Sequence, residues 1–80
     1  MPTVLRVRGF RFFFFSLEGK EPPHIHVEQA ERYAKLWLDP VSFARSKGFR
    51  GSELSEILMI VEDNKNLFLE KWHEHFSNQI

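Results

Sequence analysis

From Thr3 to Leu38 apolar and polar residues alternate in short runs, the period-2 pattern of half-buried strands. Thr3–Val7 is β-branched and apolar, and Phe10–Ser16 is aromatic. His24–Gln29 alternates His-Ile-His-Val-Glu, and Arg32–Leu38 sets Ala34, Leu36 and Leu38 against Tyr33, Lys35 and Trp37. Turn residues separate these runs: Arg8-Gly9, Glu18-Gly19-Lys20, Ala30-Glu31 and Asp39-Pro40. Glu21-Pro22-Pro23 is extended, because proline fixes its own φ and restricts the residue before it. Val41–Arg45 reads equally as a short fifth strand or a single helical turn, and Gly48 is a stop signal. The period then changes. Leu54, Ile57, Leu58, Val61, Phe68, Trp72 and Phe76 follow helical spacing, with a polar interruption at Asn64-Lys65. Ser52 suits an N-cap, and Glu53 and Glu56 suit the positive end of the helix dipole. The helix either runs unbroken from Glu53 to about Phe76 or bends near Asp63-Asn64. The expected fold is α+β: a small antiparallel sheet of four or five strands, built from two hairpins, with one long C-terminal helix packed on one face. Residues 1–45 form the sheet and 52–77 the helix, within a single domain spanning 1–80.

Alternation assigns faces. Leu5, Val7, Ile25, Val27, Ala34, Leu36 and Leu38 share the face that seats the helix. Arg6, Arg8, His24, His26, Lys35 and Trp37 share the other, with Tyr33 and Asp39 at its ends. Phe10–Phe15 breaks the scheme, since Phe10, Phe12 and Phe14 point one way and Phe13 and Phe15 the other, with Arg11. One helix covers one face only. Phe13 and Phe15 therefore either lie beside the histidines as apolar surface for a partner, or pack beneath Pro22-Pro23 or the 40–50 loop.

Eighty residues allow one domain that buries roughly 60% of its surface. Nine Phe and two Trp supply the bulk such a small core needs. There is no cysteine, no signal-peptide pattern and no apolar run near the ~20 residues a membrane span requires, so the expected location is cytoplasmic, without a membrane partner. The formal charge is zero, so a simple polyanion binder is not indicated. Its distribution is uneven. Residues 1–51 carry nine Lys/Arg against five acids, a net of +4, and residues 52–80 carry six acids against two Lys, a net of −4. Such asymmetry hints at a binding surface.

The sharpest local feature is Pro22-Pro23-His24-Ile25-His26-Val27. Two histidines two apart on a strand stand side by side, as two metal ligands or an acid and a base would. A metal needs a third ligand, for which Glu28, Asp39, His73 and His75 are candidates, and nothing local specifies which. No cofactor is expected, and without that third ligand the pair is catalytic or structural. His73 and His75 do not share a helix face and read as a solvated helix end. Trp37 with Lys35 and nearby arginines has the makings of a base-stacking platform, so RNA is a further candidate partner, although no RNP motif is present. Trp72 lies on the helix stripe and reads as core. Arg45, Lys47 and Arg50 form a basic stretch that is solvated unless phosphates or an acidic partner meet it. Phosphate-binding glycine loops, a nucleophile elbow and zinc-finger spacing are absent.

Several segments together resemble one family. They are Met1-Pro2-Thr3-Val4-Leu5-Arg6, the aromatic strand, Glu18-Gly19, and Glu21-Pro22-Pro23-His24-Ile25-His26-Val27. They continue with Ala34-Lys35-Leu36-Trp37-Leu38-Asp39-Pro40, Gly48-Phe49, Glu53-Leu54, Ile57, Val61-Glu62 and Trp72. The chain resembles, over essentially its whole length, the small bacterial proteins catalogued as domain of unknown function 4160. The Glu-Pro-Pro-His-Ile-His-Val segment is the most specific part. The resemblance implies no settled activity. Such proteins are often encoded beside a second small family, in pairs that look like toxin–antitoxin operons. This implies a toxin-like role with the neighbour's product as binding partner, and carries over His24, His26, Lys35, Trp37 and Asp39 as candidates.

Three readings follow. In the first, the chain is a partner-binding module that uses Phe13, Phe15, Arg6, Lys35, Trp37 and Asp39 to hold the neighbour's product, or a second copy as a homodimer. In the second, it is a metal-independent ribonuclease with His24 and His26 as base and acid, and Lys35 or Arg6 stabilising the transition state. In the third, the same histidines bind a metal.

Overall fold

The computed structural model describes residues 3–15 and 20–77. Five strands, β1 (Thr3–Val7), β2 (Phe10–Phe13), β3 (His24–Gln29), β4 (Arg32–Leu38) and β5 (Val41–Lys47), form one antiparallel sheet in sequence order. Two helices follow, α1 (Gly51–Asp63) and α2 (Lys65–Ser77). The 41–45 segment is thus a strand, extended to Lys47. The aromatic strand ends at Phe13, and the expected turn at Glu18-Gly19 lies outside the described residues. No helix among the described residues is long and apolar enough to cross a membrane.

Two-residue turns set the register. Arg8 (φ 53) and Gly9 (φ 85) both adopt the positive φ that a type I′ hairpin demands. A Cβ at Gly9 would also stand 2.9 Å from Gln29 Nε2. Ala30 (φ 56) makes the β3–β4 turn and pairs Gln29 with Arg32. From that closure the pairs His26↔Lys35 and His24↔Trp37 follow by counting. A register shift between Lys35 and Leu36 sets Arg45 opposite Lys35 and Phe43 opposite Leu36, leaving Ala44 as the extra residue.

The single long helix is corrected to two. At Asn64 (φ −113, ψ 16) the backbone N–H and the side-chain Nδ2 both donate to the Ile60 carbonyl, at 3.0 and 2.8 Å. A polar side chain that competes for its own helix's carbonyl ends the helix there, and Phe68 N–H restarts the pattern on Asn64 O. The helix also begins earlier than Ser52 suggests. Arg50 is the N-cap residue, and the Glu53 carboxylate accepts its backbone N–H at 2.8 Å.

The helix face of the sheet is as its alternation predicts. Phe10, Phe12, Phe14, Ile25, Val27, Ala34, Leu36 and Leu38 close on Ile57, Ile60, Val61, Phe68 and Trp72, all buried. Arg8 departs from the assigned faces, because a turn residue at positive φ leaves the strand alternation, and its guanidinium reaches Glu56 on α1 at 2.8 Å. Arg32 likewise holds Glu53 at 2.7 Å. Part of the charge split between the two halves is therefore internal pairing between sheet and helix.

Candidate functional site

The core residues of the helices, Ile57, Ile60, Val61 and Phe68, close on one face, so the site is sought on the other, here the outer face, which α2 approaches at Trp72 beside His24. The register places on it Arg6 from β1, Arg11 and Phe13 from β2, and His24, His26 and Glu28 from β3. Tyr33, Lys35 and Trp37 come from β4, and Ser42, Arg45 and Lys47 from β5.

Across this face runs a ladder of five flat groups drawn from four strands, two from β2 and one each from β3, β4 and β5. Arg11 lies 4.5 Å from the centroid of the Phe13 ring. Phe13 stacks on His26 at 5.4 Å and 27°. His26 stacks on Tyr33 at 5.7 Å and 25°. Arg45 stands 5.8 Å from the Tyr33 ring. The ladder is therefore an aromatic stack capped at each end by a guanidinium, the arrangement the ring quadrupole favours. His26 is its centre. The His26 ring is 1% exposed, and its Nδ1 shares a 2.6 Å hydrogen bond with the Tyr33 hydroxyl. Phe15, 37% exposed, stands edge-on to the same imidazole at 4.5 Å.

His24 belongs to a second cluster. Its ring is fully buried, edge-on to His26 at 5.0 Å and to Trp37 at 5.6 Å, while Trp72 of α2 lies 4.8 Å away. Its Nδ1 donates to the Pro22 carbonyl at 2.9 Å, which assigns that nitrogen the proton because a carbonyl only accepts. The Pro22-Pro23 segment is held in turn by Leu38 N–H on Pro23 O at 3.0 Å. Lys35, also buried, pairs with Glu21 at 2.7 Å and lies 4.7 Å from the Trp37 ring.

The expected site residues thus separate. His24, His26, Phe13, Phe15, Lys35 and Trp37 come together as anticipated, and Arg6 joins their face as an exposed cation. Phe13 is buried at 2%, because it is a member of the stack and not free apolar surface. Asp39 is not brought to the histidines. It stands in the β4–β5 turn and pairs with Lys65 at 3.3 Å, tying the sheet to α2. The candidate third metal ligands disperse too. Glu28 is taken by Arg11 at 2.7 Å, His73 is exposed, and His75 stacks on Phe14 at 6.3 Å. Among the described residues no three His, Cys, Asp or Glu side chains converge on a metal position.

The family described as a domain of unknown function (DUF4160) matches residues 9–73. The chain belongs to this family. No curated protein and no solved structure matches it. In this DUF4160 domain, sequence reading left three members of the site outside the candidate residues. Sequence alone places Tyr33 at the end of its face, Arg11 beside Phe13 and Phe15, and Arg45 in a basic stretch, without bringing them to the histidines. The Ala30-Glu31 turn carried the missing signal. Closing β3 on β4 there sets Tyr33 diagonal to His26, within reach of an aromatic ring.

Proposed function

We propose that this domain is a partner-binding module, the toxin-like component of a two-gene pair, and that the outer face of its sheet is the working surface. One observation carries the reading. Arg6, Arg45 and Lys47 are exposed on that face and make no ion pair among the described residues, beside half-exposed Tyr33 and Trp37 and the exposed ring of Phe15. The other two cations of the face, Arg11 and Lys35, are already matched by Glu28 and Glu21. A cationic rim around aromatic surface suits an acidic partner, steering its approach and selecting against basic ones.

The histidines favour this reading over the ribonuclease. A general acid and base must reach within about 3 Å of a substrate proton, and both imidazoles lie beneath aromatic rings. In this account they hold the surface together from below.

The test is growth of bacteria expressing the domain alone, with the product of its neighbouring gene, and as His26→Phe. The proposal expects slowed growth that the neighbour relieves and that survives in His26→Phe, which keeps the stack and discards the acid–base nitrogen. Loss of the growth effect in a folded His26→Phe protein favours the ribonuclease. No growth effect in any arm, with no complex formed, overturns the proposal.

A further inference from the structure

We infer that the free edge of β5 takes up an extended acidic segment of the partner protein by strand addition. The inference rests on the outer face being the working surface and adds the mode of binding and the chemistry of the partner.

β5 is the last strand of the sheet, bonded to β4 on one side only. An edge strand offers a row of unpaired N–H and C=O groups as a template for another strand. Its residues Ala44, Arg45, Ser46 and Lys47 are all exposed, and no other described backbone group bonds to this edge. On its outer face Arg45 and Lys47 stand two residues apart, roughly 6.8 Å at the strand rise. A strand laid alongside presents its own alternate side chains at that spacing on the same face. Acidic residues at alternate positions would meet Arg45 and Lys47 directly, each an opposite-charge cross-strand pair.

The same charges select the occupant. A second β5 laid antiparallel would bring Arg45 and Lys47 against their own copies, and like charges directly opposite disfavour the pair. The other edge, β1, carries Arg6 on the same face and resists basic strands in the same way. Edge cations that only protected against self-pairing would need no aromatic neighbours. Here Tyr33, beneath Arg45, and Trp37, opposite Ser42, lie half-exposed one strand inward, where long side chains of an added strand can reach.

The test uses the full chain, isotope-labelled, titrated with the capped peptide Thr-Glu-Val-Glu-Thr-Glu-Val and followed by amide NMR. The expected result is saturable shifts and slowed hydrogen exchange concentrated at residues 44–47. Methylating every backbone nitrogen of the peptide, which keeps its charges and removes its donors, should weaken binding at least tenfold. The folded variant Arg45→Glu/Lys47→Glu should prefer the lysine counterpart of the peptide. Equal binding of the methylated peptide, binding of an octamer of uridylate with none of the peptide, or no binding at millimolar peptide would each overturn the inference. The functional reading fails separately. If the neighbour's product still binds Arg45→Glu/Lys47→Glu with unchanged affinity, the strand-addition mode falls and the two-gene reading stands. If no complex or growth effect exists, that reading falls whatever the peptide does.

Discussion

Replacing His26 by alanine separates a structural histidine from a chemical one. The imidazole is 1% exposed and touches Phe13, Phe15, His24 and Tyr33. Truncation opens a cavity in the middle of the stack, and large-to-alanine changes at such positions cost about 2–5 kcal/mol. The lost hydrogen bond to Tyr33 adds little, because that hydroxyl belongs to a half-exposed residue and can turn to water. A total of about 2–5 kcal/mol is a large part of the roughly 4–12 kcal/mol an 80-residue domain commands. It should lower Tm by roughly 8–40 °C. His26→Phe restores the ring but leaves Tyr33 without its partner, so it should recover more than half of the loss. Urea unfolding followed by tryptophan fluorescence measures both variants on one scale. If His26→Ala is as stable as the parent while the growth effect vanishes, the stack is not what the residue serves, and the reasoning is refuted.

Other expectations concern the scaffold and the surface. Leu36→Ala, at a fully buried position in the centre of the sheet, should cost about 2–5 kcal/mol in the same urea assay. Gly48→Ala should destabilise by more than about 1 kcal/mol, since φ is +88 and the new Cβ would stand 2.8 Å from Arg32 Cγ; a neutral result would show that Arg32 can move aside. Ala30→Gly should be neutral or stabilising by up to about 1 kcal/mol, because Ala30 sits at φ 56, where a side chain is strained. Asp39→Asn should change stability by less than about 1 kcal/mol, since the pair with Lys65 is exposed and long at 3.3 Å; a larger loss by thermal unfolding would give that turn an unforeseen role.

Much of this architecture was legible where the local rules are strict. His24–Gln29 and Arg32–Leu38 stand where alternation and turn residues put them, because one face of each strand is buried and the pleat has a fixed period. Rules of longer reach were less visible. Ala44 interrupts the β4–β5 register, so β5 does not alternate cleanly and its sequence could not be told from a helical turn. The interruption at Asn64-Lys65 shows in the hydrophobic spacing, but the choice between a continuous helix and a break there rests on one side-chain hydrogen bond that the spacing does not record. Arg8 leaves its assigned face because a turn suspends the alternation. Of the site, the His24/His26 pair announced itself. That it is enclosed was not visible, because its cover comes from Phe13, Phe15, Trp37 and Trp72, four residues that only the register and the helix packing bring together.

The central claim is that the outer face binds a partner through its cations while its histidines support it from within. Calorimetric titration of the neighbouring gene's product into the parent domain, His26→Phe and Arg45→Glu/Lys47→Glu tests it most directly. The account predicts affinity within about threefold of the parent for folded His26→Phe and a loss of at least tenfold, about 1.4 kcal/mol, for the charge-reversed form. Unchanged binding by the charge-reversed form, or loss of binding confined to a folded His26→Phe, would contradict it.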